Sequence, residues 1–174
     1  SQITGGHREE IEKMPFPVVL VGQRTDICSC VYHDDRQAAW AAMNHLLKSG
    51  VERPAYLGVT GRDLAAGEAR FQGAGAALAQ NGFSIEEIPK EEVEFTSESG
   101  YRGMEKLLEA RETPDGVFCA SDLIAAGAMA CLRDRGYRVP HQVRVTGIGH
   151  GRVADLLTPR LTTVHYHYKT SGRE

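Results

Sequence analysis

The side chains best equipped for chemistry stand singly, each shortly after an apolar run. They are Arg62, Asp63 and Arg70 after one run, Phe95 and Glu98 after the next, Ser121 and Asp122 after a third, and His150 after a fourth. A guanidinium fork, carboxylates, a hydroxyl, an imidazole and one aromatic face are what a polyhydroxylated ligand needs. The first groups donate to and accept from its hydroxyls, and the ring covers its apolar face. Each residue has a plainer reading as well: Arg70 as a solvated charge on a helix, Asp122 as a helix cap, Phe95 as core.

Patterns that would demand catalysis are missing. No GxSxG elbow and no HExxH occurs in the sequence. The run Gly147-Ile148-Gly149-His150-Gly151 looks at first like a phosphate loop but lacks the Lys-Ser/Thr ending of a nucleotide site. His165 and His167 would share one face of a strand and suit a metal, yet a third ligand is not evident, so an ordinary strand is the better expectation. Asp34 and Asp35 are adjacent and diverge, unlike an acid/base pair. The four cysteines, Cys28, Cys30, Cys119 and Cys131, form neither a CxxC nor a zinc spacing. Buried reduced thiols in a cytoplasmic protein are expected, with no enzyme activity, no metal and no cofactor.

The elements that must position these residues follow from an alternation of apolar runs with helical periodicity, the pattern of a parallel sheet covered by helices. A short amphipathic helix through Arg8 to Met14 precedes a buried strand at Pro17 to Gly22, and a short extended segment follows at Cys30 to His33. Asp34-Asp35 then stands where a helix N-terminus favours carboxylates. That helix should run from about Arg36 to Lys48 and stop at Gly50. Strands are expected at Ala55–Val59, Val93–Phe95, Gly116–Ala120 and Val143–Ile148. Helices are expected from about Ala65 to Asn81, Ser97 to Ala110 and Leu123 to Arg135, the second opening on the capping hydroxyls of Ser97-Glu98-Ser99 and the third on Ser121-Asp122. The result is a doubly wound α/β unit with right-handed crossovers. Its ligands belong beyond the carboxyl ends of the strands, where the singled-out residues fall. A last strand at Leu161 to Tyr166 and a helical start at Lys169 look like pieces that need partners elsewhere.

Composition agrees with an ordinary globular chain: 174 residues, 41% apolar, 25% charged, formal net charge −3. A domain gripping nucleic acid unaided would carry a basic excess, and here acid slightly exceeds base. No apolar stretch is long enough to cross a bilayer, and no charged-then-apolar start suggests a signal peptide, although the sequence begins at Ser1 without Met.

From Val31 onward the chain resembles the effector-binding core of LacI/GalR repressors. The likeness rests on an ordered series: Val31-Tyr32-His33-Asp34-Asp35 with the alanine-rich helix ending Leu46-Leu47-Lys48-Ser49-Gly50, then Tyr56-Leu57-Gly58-Val59, Asp63 to Gly73, and Glu98-Ser99-Gly100-Tyr101. Val117 to Ala128 and Thr158-Pro159-Arg160-Leu161-Thr162-Thr163-Val164 complete it. The resemblance implies a periplasmic-binding-protein-like type I fold, with two lobes joined by crossovers and the effector between them. This chain would hold nearly all of the C-terminal lobe, at 34–157. Residues 1–33 would be a fragment of the N-terminal lobe with the first crossover, and 158–174 the return crossover.

Carried over by position, the resemblance gives Arg70 as the arginine that forks onto effector hydroxyls, Phe95 as the stacking ring, and Ser121-Asp122 as the pair facing the cleft. His150 falls where many members have an aspartate, so the site loses an acceptor, and more so when the imidazole is charged. Gln23 and Asp63 are further candidates for the same cleft. The local flavour is that of sucrose, trehalose and related sugar-operon repressors. Implied partners are a sugar or sugar phosphate, a second copy of the chain in a homodimer, and operator DNA through an upstream helix-turn-helix not among these residues. A secreted sugar-binding protein of a transporter is the alternative, and an enzyme on a related sheet a more distant one.

Overall fold

Pro54–Gly58 (β3) and Gly116–Cys119 (β5) are buried at every residue, and Arg144–Gly149 (β6) is buried at its four central positions. Unbroken burial of this kind arises when helices cover both faces of a parallel sheet, so that neither side of the pleat meets water. Lys90–Glu92 (β4) and Thr162–His165 (β7) lie at the edges and alternate or expose their side chains. In the computed structural model the strand order is β4-β3-β5-β6-β7, all parallel. The residues described are 5–22, 24–59, 64–149 and 151–173.

Chain direction decides which helices share a face. The step from β3 to β4 runs one way along the sheet, through a π-helical turn at Leu64–Ala69 and α3 (Arg70–Gln80). The steps from β4 to β5 and β5 to β6, through α4 (Ser97–Leu108) and α5 (Asp122–Asp134), run the other way. Right-handed crossovers then place α3 on one face and α4 with α5 on the other. The packing agrees: α3 lies against α2 (Asp35–Lys48), and α4 lies against α5. Glycines permit both approaches. A Cβ on Gly127 would collide with the Ser97 carbonyl, and one on Gly73 with the Arg36 carbonyl. The core between helices and sheet holds Met43, Leu46, Leu57, Leu78, Met104, Phe118, Ile124 and Leu132, all 1% exposed or less. A short α6 (Arg152–Leu156) connects β6 to β7.

The chain forms two compact units, Asp35–His165, which holds this sheet, and Ser1–Asp34 with Tyr166–Glu174. The second unit contains α1 (Gly5–Glu12), β1 (Val19–Val21), β2 (Ser29–Val31) and α7 (Tyr168–Ser171), with β1 and β2 paired in parallel. Arg8 bonds to Asp26 and holds that carboxyl below its ordinary range. His33 stacks on Tyr166 with ring centroids 4.3 Å apart.

Several expected elements shift. The strand foreseen at Val93–Phe95 forms at the polar Lys90–Glu92, because an edge strand is chosen by backbone pairing with Tyr56–Gly58 and not by its own burial. The Val93 N–H still donates to the Gly58 carbonyl at 2.8 Å, after which the chain leaves the sheet. The cap of α4 is Thr96, accepting from the Ser99 N–H at 3.1 Å, one residue before the hydroxyls foreseen. The helix foreseen from Ala65 opens as a π-helical turn and becomes α-helical only at Arg70. The strand foreseen as buried at Pro17–Gly22 contracts to β1, where Val19 and Val21 are 56% and 67% exposed. The tail strand foreseen as needing outside partners pairs with β6. Gly82 and Gly136, at φ +83° and +78°, end α3 and α5 as expected, taking a conformation that a side chain would strain.

Candidate functional site

At the carboxyl ends of the strands, Arg70 is the most firmly placed functional side chain. As the first α-helical residue after the π-helical turn, it reaches back across two elements. Its Nε donates to Asp35 Oδ1 at 2.8 Å and its Nη2 lies 2.6 Å from the same oxygen, while Nη1 donates to the Ala120 carbonyl just past β5. The two side chains are 11% and 13% exposed, so the pair is shielded from the screening that makes surface ion pairs nearly worthless. A guanidinium desolvated with its counter-charge is a rigid fork, fixed before any ligand arrives. Asp35 does double duty, because it also places a negative charge in the first turn of α2.

Ser121 caps α5, its hydroxyl accepting from the Ile124 N–H at 3.3 Å. Asp122 follows and turns inward. It is 4% exposed, with Oδ2 accepting from the Gly151 N–H at 2.9 Å and Oδ1 from the Thr163 hydroxyl at 2.6 Å. The carboxylate therefore stitches the end of β6 and the strand β7 to the start of α5. Gly147 makes room for it, since a Cβ there would lie 2.7 Å from Asp122 Oδ1. Cys119, fully buried at the end of β5, has its thiol pushed up by burial and further by the Asp122 charge. Phe95, between β4 and the Thr96 cap, is 43% exposed.

All four follow the carboxyl ends of strands that lie side by side in the order β4-β3-β5-β6, and Arg70 reaches the Ala120 carbonyl next to Ser121 and Asp122. His150, Asp63, Arg62 and Gln23 lie outside the described residues. Gly149 and Gly151, which flank His150 in sequence, are placed by β6 and by Asp122 respectively. The alternation that would put His165 and His167 on one face ends with β7 at His165. Among the described residues no three metal-ligating side chains gather.

Tyr56 escaped the reading of the sequence. Its ring stacks on Phe118 at 5.3 Å, meets Phe71 edge-on at 5.6 Å and overlies Gly58, where a Cβ would fall within the ring. Its hydroxyl is buried without a hydrogen-bond partner among the described residues. Burial drives the phenol well above its ordinary range, with Arg70 opposing and Glu92 adding to the shift. A tyrosine directly inside an apolar strand and two residues before a glycine was the available signal.

The family model for the periplasmic binding protein-like domain matches residues 43–174. The chain belongs to that family. Its relatives are LacI/GalR repressors and regulators. Catabolite control protein A of Priestia megaterium is 32% identical over 164 residues, covering 93% of this chain and 49% of its own length. The HTH-type transcriptional regulator GalR of Escherichia coli is 35% identical over 145 residues, covering 83% and 42%. Among solved structures, a sugar-binding LacI-family transcriptional regulator from Escherichia coli, complexed with phosphate, superposes with a TM-score of 0.78 at 30% identity over 92% of this chain and 57% of its own. This member of the periplasmic binding protein-like family thus spans about half the length of the curated relatives it matches. No helix among its described residues is long and apolar enough to cross a membrane.

Proposed function

We propose that this chain is the effector-sensing part of a cytoplasmic, DNA-binding repressor, and that its effector is a sugar or sugar phosphate held at the carboxyl ends of β3 to β6. The observation that carries this reading is the Arg70 fork, immobilised by Asp35 and by the carbonyl of Ala120, the residue before Ser121. A fixed cation, together with the exposed Phe95 at the end of a neighbouring strand, suits a ligand with hydroxyls or a phosphate on one side and C–H groups on the other. The similarity to a sugar-binding Escherichia coli regulator that holds phosphate supports the choice of ligand class.

Ser121 and Phe95 contact the ligand in this account, whereas Asp122 is a positioning residue that holds Gly151 and hence the loop bearing His150. Signalling requires that the effector bind two arrangements of the whole protein with different free energies, so that operator affinity changes in a homodimer whose reading heads lie outside these residues. The test is operator release by the full-length protein across a panel of sugars and sugar phosphates. At least one should weaken or strengthen operator binding, and none doing so would overturn the proposal. His150 adds a pH signature: because a neutral imidazole offers one acceptor and a charged one none, effector affinity should fall on acidification. His150→Asp should flatten that profile, and an unchanged profile would remove His150 from the site.

A further inference from the structure

Only two of the four cysteines are buried as expected. Cys119 and Cys131, in β5 and α5, expose nothing, and burial holds both thiols above their ordinary range. Cys28 and Cys30, in contrast, are half-buried. Cys30 lies in β2 opposite Leu20, and Cys28 stands immediately before that strand. Because side chains alternate along an extended chain, residues two apart share a face, and so do these two thiols. Burial agrees: Ser29 between them is exposed, as are Val19 and Val21 on either side of the half-buried Leu20.

The spacing decides what a pair of thiols can hold. Alternate residues of an extended strand stand about 6.6 Å apart at Cα. That is the long limit for a disulfide, whose Cα atoms are most often about 5.5–6 Å apart. A cation bridging two thiolates is better matched. With metal–sulfur bonds of about 2.3 Å in line, it needs sulfurs roughly 4.6 Å apart, which neighbouring side chains on one face reach by leaning together. The number of ligands decides the kind of cation. Among the described residues no three metal-ligating side chains gather, whereas structural zinc takes four and hard cations take oxygen. Thiolates select the soft cuprous ion. The Cys30 thiol donates to the Thr25 carbonyl at 3.6 Å, a weak bond given up when its proton leaves.

We propose that Cys28 and Cys30 form a two-thiolate site for a soft cation of the cuprous class, independent of the effector site at the carboxyl ends of the larger sheet. Binding exchanges two thiol protons for one metal ion: Cu(I) and two R–SH give the bis-thiolate complex, with one net negative charge, and two protons. No electron moves, and affinity rises with pH because each ligand must lose its proton.

The test is anaerobic titration of the chain with Cu(I), kept reduced by ascorbate, against the chromophoric chelator bicinchoninate, followed by X-ray absorption of the loaded protein. The chain should withhold about one ion from the chelator, as a single two-thiolate site requires, and the absorption should show two sulfur neighbours and no nitrogen. Cys28→Ser and Cys30→Ser should each weaken the metal about a hundredfold or more, since even an outer-shell change costs a site roughly 10- to 100-fold. Zn(II) in excess should not displace it. The proposal is overturned if no ion is withheld, if the metal has three or more ligands, if retention survives both serine variants, or if Zn(II) displaces it. The absorption is read on the unaltered chain, so it decides whether or not a serine variant folds. Sugar binding at the carboxyl ends has no bearing on any of these outcomes.

Discussion

The two ends of the five-stranded sheet handle charge in opposite ways. At the carboxyl ends, Arg70 is locked by Asp35 and Ala120, and Asp122 is satisfied by Gly151 and Thr163. At the amino ends, Arg144 and Arg160 line a pocket of about 220 Å³ with no acidic residue in its lining, and neither forms an ion pair among the described residues. The difference teaches that one end is organised by the protein's own side chains before a ligand arrives, while the other leaves its arginines without ion pairs. Preorganisation of the first kind adds to stability, and unpaired arginines add none.

Stability measurements by urea unfolding should therefore separate the two ends. Arg70→Ala should cost about 3–5 kcal/mol, because it removes the counter-charge of the Asp35 carboxylate in a site 13% exposed. A loss under 1 kcal/mol would show that the pair is far more solvated than its geometry indicates. Asp122→Ala should cost about 2–3 kcal/mol by leaving the Gly151 N–H and the Thr163 hydroxyl without their charged acceptor. At the amino ends the sign reverses: Thr146→Val should raise stability by about 1 kcal/mol, since it removes an unsatisfied buried hydroxyl at nearly constant shape. Tyr56→Phe, the same change at the other buried orphan, should do likewise. Destabilisation by either would mean that the hydroxyl has a partner, such as a bound water. Arg160→Ala should stay within about 0.5 kcal/mol, as befits an exposed residue with no ion pair among the described residues.

Much of this organisation was legible in the sequence. The fully buried strands announced themselves as apolar runs, and helix ends at Gly50, Gly82 and Gly136 by glycines in the right places. Ser121 and Asp122 were singled out because a strand followed by a polar residue at a helix start is a local pattern, and Arg70 through the stretch Asp63 to Gly73 that resembles LacI/GalR repressors. What was not legible depended on contacts far apart in sequence. Nothing local reveals that Asp35 and Arg70 meet, or that Asp122 turns inward to residues 29 and 41 positions later. The edge strand β4 was displaced for the same reason, since Lys90–Glu92 joins the sheet through backbone bonds to β3 that hydropathy does not record. The amino-end pocket is the extreme case: its lining comes from α2, β6 and the approach to β7, and no motif joins them.

The most direct measurement of the central claim is amide chemical-shift mapping of the ¹⁵N-labelled protein, titrated with a panel of sugars and sugar phosphates at millimolar concentration. The account predicts that the ligand which acts on the full-length protein shifts the amides of Phe95, Ser121 and Gly151, leaving Arg144, Thr146 and Thr162 in place. Shifts confined to the second group, or no shift for any sugar or sugar phosphate that alters operator binding, would contradict it.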